Sequence, residues 1–322
     1  MNRAELAKIL EREGFDPCVY SLDGGTREDT LCVAQEGGRW CVYYTERGLR
    51  SETAWFATEW QACDHLLKQL RSLPFQQTRT PDGELGRLHQ SVQAIAFDCF
   101  GTLIDWEAGI LDALAALFER HRVTNPPPAA DLLGLYAELE SKAESGDYRP
   151  YREVLEDVAA GFAQRIGFPL PAMDRGILPD SIRHWPAFPD TGPALRRLKA
   201  NYKLAVISNI DDDLFEPARA KLGLATVGGL DELITAEQVQ SYKPGRAHFD
   251  EALKRLSLEA DQVLVAACSL HHDIAPASAL GILTCHIDRN QLGASGHADD
   301  LSFNGPTMTV RSVTELADAL GC

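Results

Sequence analysis

The pattern of apolar and polar positions changes near residue 90 and divides the chain in two. The first part predicts two helices around a β-hairpin: helices over 3–13 and 52–71, and strands over 31–34 and 40–44 that flank Gly37-Gly38. A unit of about 70 residues can fold alone. We therefore expect a small α+β domain over residues 1–73, followed by a linker over 74–91 that is rich in turn-forming residues.

From residue 92 onward, short apolar runs alternate with helical stretches. The runs predict strands over 92–97, 203–208, 232–235, 262–267 and 283–287. Strands that alternate with helices are typical of a parallel sheet covered by helices on both faces. The sequence therefore predicts an α/β fold, a Rossmann-like parallel sheet core.

The interval between the first two of these strands is too long for a single crossover. It contains apolar positions at helical spacing over 107–120, 130–145, 149–166 and 174–184. We expect these helices to form an inserted helical cap over 107–186, with the core formed by 92–106 and 187–322. Such an insertion would lie above the strand ends as a lid, where lids exclude water and contact substrates.

Composition narrows the classes of partner and the compartment. The chain has 322 residues, 31 basic against 47 acidic, and a formal net charge of −16, which disfavours nucleic-acid binding because phosphate backbones are repelled. No apolar run approaches the roughly 18 residues that span a bilayer. Residues 1–6 carry charges every few positions and lack the apolar core of a signal peptide. We expect a cytoplasmic protein without a membrane partner. The eight cysteines form no C-x-x-C pair, so neither a zinc site nor a redox motif is indicated.

Asp98 stands where an apolar strand ends and a glycine turn begins, in AIAFDCFGTLID (94–105). The carboxyl ends of parallel strands are where open α/β sheets bind ligands. Carboxylates can act as nucleophiles that form covalent intermediates. Asp98 is therefore the leading candidate for a catalytic residue.

Four segments resemble, in order, the four motifs of the haloacid dehalogenase superfamily of hydrolases. They are AIAFDCFGTLID (94–105), LAVISN (204–209), SYKP (241–244) and VLVAACSLHHD (263–273). Each lies at a predicted strand end or in the loop that follows. The resemblance implies Asp98 as nucleophile, with Lys243 and Asp273 as further catalytic residues.

Two departures of this chain from the motifs help to decide which reaction of that superfamily it resembles. Its phosphatases carry a general acid two residues after the nucleophile, where this chain has Phe100, and halide needs no proton to leave. Their magnesium is held by the aspartate of a Gly-Asp pair, where this chain has Ala267-Cys268, and thiolate is a poor magnesium ligand. The chain thus most resembles the 2-haloacid dehalogenase (type II) branch, which implies no cofactor and no metal.

The same resemblance implies how a substrate would be bound. Phe100, Thr102, Ser208 and Asn209 are expected to contact a small-molecule carboxylate. The dehalogenases also carry a cap arginine in a Trp-Arg context that is absent here. The cap instead offers Arg149, Arg152 and Arg183, and we take Arg149 and Arg152 as the candidates for that role.

Several alternatives remain at this point. One is a magnesium-dependent phosphatase of a small phosphate ester. Another is a non-catalytic scaffold whose N-terminal unit binds a protein partner or self-associates through 1–73; that unit resembles small bacterial immunity-protein-like domains through WCVYYTERG (40–48). We further expect His271 and His272 to contact solvent or backbone, and the acidic run at 211–213 to open a helix.

Overall fold

The computed structural model describes residues 1–12, 20–25, 30–46, 49–72, 91–289 and 305–322. The linker predicted over 74–91 lies outside these residues except for residue 91.

In its described residues, the N-terminal part is a four-stranded sheet with two helices. Its elements are α1 (Arg3–Arg12), β1 (Tyr20–Ser21), β2 (Thr30–Glu36), β3 (Arg39–Glu46), β4 (Leu49–Phe56) and α2 (Glu59–Ser72). The strands run in the order β1-β2-β3-β4, with β1 parallel to β2 and the other pairs antiparallel. Apolar residues of α1 and α2, such as Leu6 and Leu66, pack with Val33 and Val42 of the sheet. The predicted small α+β unit is confirmed.

The helix predicted over 52–71 is wrong in its first part. Residues 52–56 belong to β4, which pairs with β3 so that Trp40 lies opposite Phe56, and α2 starts only at Glu59. The aromatic residues that suggested one continuous apolar stripe do not form one buried face: Trp55 and Trp60 are both exposed. Pairing with β3 outweighs the local helical pattern here.

The larger sheet has six strands, all parallel. They are β5 (Ala94–Phe97), β6 (Lys203–Ser208), β7 (Glu232–Thr235), β8 (Val263–Ala267), β9 (Leu283–Ile287) and β10 (Met308–Val310). The order is β10-β9-β8-β5-β6-β7. The α/β parallel-sheet prediction is confirmed, and β10 at the sheet edge is an additional strand. The strand that carries Asp98 at its end, β5, lies between β6 and β8.

Four helices interrupt the chain between β5 and β6. They are α3 (Trp106–Arg120), α4 (Ala129–Glu144), α5 (Tyr151–Ile166) and α6 (Ile177–Ser181); we call this insertion the cap. The two connections that lead into and out of it run side by side. Asp105 N donates to Pro186 O at 2.8 Å, and Phe188 N donates to Leu103 O at 3.1 Å.

Within residues 91–289 and 305–322, six further α-helices accompany the large sheet. They are α7 (Thr191–Lys199), α8 (Asp212–Lys221), α9 (Ala236–Val239), α10 (Ala247–Leu256), α11 (Ala275–Ala279) and α12 (Val313–Ala319). Alternate residues of β5 face opposite sides, as a pleated strand requires: Phe97 packs in a cluster with residues of α7, α8 and α12, and Ala96 packs with residues of α10 and α11. Among the helices in the described part of the chain, none is long and apolar enough to cross a membrane.

Candidate active site

Asp98 follows β5 and lies almost fully buried at the floor of a cavity. Its Oδ1 accepts a hydrogen bond from Lys243 Nζ at 2.9 Å, and its Oδ2 accepts one from Thr102 Oγ1 at 2.7 Å. The turn that follows needs a glycine, because Gly101 has φ +92° and a Cβ there would lie 2.8 Å from Cys268 Sγ. The backbone thus turns sharply after Asp98 and leaves its carboxylate held from two sides.

Lys243 joins the two carboxylates that the sequence predicts as catalytic. Its ammonium donates to Asp98 Oδ1 at 2.9 Å, to Asp273 Oδ1 at 2.6 Å and to Ile207 O at 3.1 Å. Burial alone would lower the pKa of Lys243, but the charges of Asp273 and Asp98, with the hydrogen bonds to both, raise it above its ordinary value. The three predicted catalytic residues therefore form one buried, charged cluster.

Ser208 and Asn209, at the end of β6, both line the cavity but have different environments. Asn209 is bound at both ends of its amide to the backbone of Lys243: its Oδ1 accepts from Lys243 N at 2.7 Å and its Nδ2 donates to Lys243 O at 3.1 Å. Ser208 is 1% exposed, and its Oγ has no hydrogen-bond partner. A buried hydroxyl without a partner carries a desolvation cost, so Ser208 is a ready donor for a molecule in the cavity.

His248 lies beneath the same strand end. Its Nε2 lies 3.2 Å from Ser208 O, and the side chain is fully buried. Burial, followed by the charge of Lys243, lowers the pKa of His248 to about 3. The imidazole is therefore neutral at physiological pH and supports the strand end by packing.

The cap supplies the opposite wall of the cavity. Its lining residues are Trp106, Tyr136, Glu140, Glu144, Tyr151 and Trp185. From the core, Phe100 lines the cavity and meets Trp185 edge-to-face with ring centroids 5.3 Å apart. None of the cap residues was predicted from the sequence. The spacing 136, 140 and 144, which places three side chains on one face of a helix, was the signal that could have identified three of them.

Three residues predicted to contact substrate lie outside the cavity lining. Thr102 is fully buried and contacts the nucleophile candidate and Cys268 N instead of the cavity. Arg149 pairs with Asp157 at 2.6 Å, and Arg152 pairs with Asp180 and Asp213 at 3.2 and 3.0 Å, all at exposed positions. The arginines therefore satisfy surface carboxylates, and Thr102 orients Asp98.

His272 has a more specific environment than the solvent or backbone contact expected for it. It lines the cavity, and its Nδ1 lies 3.1 Å from Ser269 Oγ. The same hydroxyl accepts from His272 N at 3.0 Å. Both residues belong to the tight turn that carries Asp273, so the turn after β8 brings His272 to the cavity as well.

Asp211 ties the loop after β6 to the cap. Its carboxylate is buried and accepts hydrogen bonds from the backbone N–H groups of Tyr151 and Arg152, each at 2.8 Å. These N–H groups start α5 and have no partner within the helix, and a carboxylate there also complements the helix dipole. The acidic run does open α8 as predicted, since Asp212 and Asp213 are its first residues, and the side chain of Asp211 additionally binds the first N–H groups of α5.

The donor set does not suit magnesium. Residue 268 offers sulfur, and each of the two remaining carboxylates, Asp98 and Asp273, directs an oxygen to the ammonium of Lys243. Magnesium requires oxygen ligands in near-octahedral geometry. Within the described ranges, no group of three or more His, Cys, Asp or Glu side chains is arranged to hold a metal ion.

Comparison with known proteins agrees with the fold and the motifs. A family model for haloacid dehalogenase-like hydrolases matches residues 92–281. An (S)-2-haloacid dehalogenase of Pseudomonas putida is 27% identical over 242 residues, which cover 72% of this chain and 97% of that protein. Another, from Burkholderia cepacia, is 27% identical over 236 residues, 70% of this chain and 94% of that protein.

Solved structures show the same architecture. The structure of an L-2-haloacid dehalogenase superposes with a TM-score of 0.58 at 25% identity, covering 71% of this chain and 99% of its own. A defluorinating L-2-haloacid dehalogenase superposes with a TM-score of 0.60 at 22% identity, covering 72% and 96%. The family model matches more than half of the chain, and the motifs, the sheet order and the position of Asp98 agree with it. The chain therefore belongs to the haloacid dehalogenase-like hydrolase family.

Proposed function

We propose that the chain is a hydrolase that dehalogenates a small 2-haloacid-like carboxylate through an ester on Asp98. The observation that carries this proposal is the position of Asp98, whose carboxylate faces a small cavity while Lys243 and Thr102 hold its two oxygens. The cavity volume of about 50 Å³ suits a molecule of few heavy atoms. The similarity to (S)-2-haloacid dehalogenases over almost their whole length supports the reaction class.

In the first step, an oxygen of Asp98 attacks the carbon that bears the halogen. A carbon–oxygen bond forms, the carbon–halogen bond breaks, and the halogen leaves with the bonding electrons as halide. Because halide is a stable anion, no general acid is needed, which agrees with the apolar Phe100 at the position of the phosphatase acid. Phe100 and Trp185 contribute aromatic walls that exclude water during this step.

In the second step, water hydrolyses the ester at the Asp98 carbonyl carbon. Over this step the water loses both of its protons: one goes to the alkoxide of the product and the other is released to solution, while the oxygen of the water becomes part of the regenerated Asp98 carboxylate. We assign Asp273 to activating this water and Lys243 to holding both carboxylates, since its ammonium lies 2.6 Å from Asp273 and 2.9 Å from Asp98. Neither step requires a metal.

Substrate orientation would come from the core side of the cavity. Ser208 Oγ, which is buried on the cavity without a partner, is assigned to donate to the substrate carboxylate. Asn209 positions Lys243 through its two backbone hydrogen bonds. Among the cavity-lining residues that the structure describes, no arginine is present, so the proposal assigns no substrate contact to Arg149 or Arg152.

The test is halide release from L-2-chloropropionate and its bromo and fluoro analogues in excess EDTA. We expect release by the natural chain and none by Asp98→Asn, which should remain folded as judged by circular dichroism. Asp250→Asn, the same change at an exposed aspartate that pairs with Arg246, should retain full activity. Undiminished release by Asp98→Asn would refute the mechanism. Phosphate release from small esters that requires magnesium would instead favour a phosphatase.

We also propose a division of the chain into residues 1–73, a linker over 74–91, a core of 92–106 and 187–322, and a cap of 107–186. Residues 1–73 are assigned to a protein partner or to self-association. The exposed side chains of Trp55 and Trp60 on this unit support an interaction surface.

A further inference from the structure

The cap wall of the cavity is acidic. Tyr136, Glu140 and Glu144 follow one another at four-residue spacing along α4 and face the cavity together. Glu140 is only 9% exposed, and carboxylates are rarely that buried unless hydrogen-bonded or paired. A buried carboxylate on the wall of the cavity is placed to contact a molecule bound there.

Two tyrosines hold Glu140 in place. Tyr136 donates to Glu140 Oε1 at 2.9 Å, Tyr151 donates to the same oxygen, and the two hydroxyl oxygens lie 3.0 Å apart. Burial, followed by the charge of Glu140, raises the pKa of Tyr151 well above its ordinary value. Tyr151 therefore remains a protonated donor, and the two phenols orient the carboxylate through hydrogen bonds without supplying positive charge.

More carboxylates than cations line the cavity, and two of the carboxylates belong to the cap. The described lining residues include the carboxylates of Asp98, Asp273, Glu140 and Glu144 against one lysine, Lys243. The ammonium of Lys243 lies between Asp98 and Asp273 on the core side. A ligand that carried only a carboxylate and a halogen would present no positive or donor group to Glu140, and displacing water from that wall would be unfavourable.

The core side of the cavity has the complementary character. Ser208 Oγ is a buried donor without a partner, which suits the carboxylate of a ligand. The cavity therefore offers a donor at the floor and an acceptor on the cap wall. A small molecule that fits both has an acidic end and a donor-bearing end.

We propose that Glu140 determines specificity and that the substrate is a small 2-haloacid with an ammonium or another N–H or O–H donor on the carbon next to the halogenated one. This inference rests on the proposed dehalogenation. The cavity volume of about 50 Å³ keeps the substrate short. Glu140 accepts from the donor, Tyr136 and Tyr151 position Glu140, and the carboxylate lies toward Ser208.

Three probes of nearly equal size test the proposal. In 2-chlorobutyrate, 2-chloro-3-hydroxypropionate and 2-chloro-3-aminopropionate, the terminal group is methyl, hydroxyl and ammonium in turn. Dissociation constants measured by calorimetry on freshly dissolved ligand, with Asp98→Asn as the protein, require no turnover. We expect the amino compound to bind at least tenfold more tightly than 2-chlorobutyrate, with the hydroxy compound between them.

Adding Glu140→Gln to that protein should reduce the preference to within about threefold, because a neutral amide lacks the charge that favours ammonium. Glu138→Gln, on the same helix but exposed and paired with Arg165, should preserve the preference. Equal binding of the three probes, or a preference that survives Glu140→Gln, would overturn the assignment. Halide release from the same probes by the natural chain, corrected with the Asp98→Asn blank, tests the displacement separately.

Discussion

Replacing Lys243 by methionine tests whether one buried ammonium holds the active site together. Methionine has a similar length but leaves Asp98 and Asp273 in a dry site without their common counter-charge. At the observed separations of 2.9 and 2.6 Å, each ion pair has a Coulomb energy of about 6 kcal/mol at an effective dielectric constant of about 20. Desolvation of the three buried charges offsets most of this attraction, so the net effect must be measured.

We expect Lys243→Met to lower the free energy of unfolding by about 3–5 kcal/mol, as found when one member of a buried ion pair is removed. Adding Asp273→Asn removes one of the two uncompensated carboxylates. The double variant should therefore be about 2 kcal/mol more stable than Lys243→Met alone, although it lacks two polar partners.

Urea unfolding of the natural chain, both single variants and the double variant completes a thermodynamic cycle. Lys254→Met is the matched control, because Lys254 is largely exposed and pairs with Glu251 at 2.8 Å; its loss should cost less than about 1 kcal/mol. If Asp273→Asn lowers the free energy of unfolding by the same amount in the Lys243→Met background as in the natural chain, the charges of Lys243 and Asp273 are not coupled, which would refute this reasoning.

Two further predictions concern packing and pH. A Cβ at Gly109 would lie 2.1 Å from the Trp185 ring, so Gly109→Ala should destabilise the chain by about 1–3 kcal/mol; an unchanged melting temperature would contradict this. Burial lowers the pKa of His248 from 6.5 to about 3, so the unfolded chain binds a proton that the native chain excludes as pH falls below 6.5. Stability contributed by neutral His248 is therefore lost on acidification, by about 2 kcal/mol at pH 5. His248→Asn should weaken the decline between pH 7 and 5 in urea titrations, and an identical decline would contradict the assignment.

The core side of the site could be predicted from the sequence because its residues occupy the ends of short apolar strands. Asp98, Ser208 and Asp273 each follow or end a strand of the parallel sheet, and strands that neighbour one another bring their ends together. Lys243 was predicted through its motif, and its ammonium lies between two of these residues.

The cap side could not be predicted in the same way. The spacing of Tyr136, Glu140 and Glu144 places them on one face of a helix, but which face meets the cavity depends on how the insertion packs over the sheet, and the sequence does not determine that packing. Arginine is the residue type that suggests an anion site, but Arg149 and Arg152 have carboxylate partners outside the cavity. The helix predicted through 52–56 failed for a related reason, since the partner strand β3 decides that segment.

The adjacency of the two connections to the cap has a consequence for how such a protein can change. Backbone hydrogen bonds join Leu103 to Phe188 and Asp105 to Pro186 across the base of the insertion. The inserted segment is therefore a loop whose two ends are held together by the core. Doubling the length of a flexible loop costs only about 0.6 kcal/mol in closure entropy. The core carries the residues that break the carbon–halogen bond, and the inserted segment carries Glu140, to which we assign substrate specificity. The inserted segment can therefore be replaced as a unit. New substrates can then be acquired by recombination at two neighbouring points while the nucleophile is inherited unchanged.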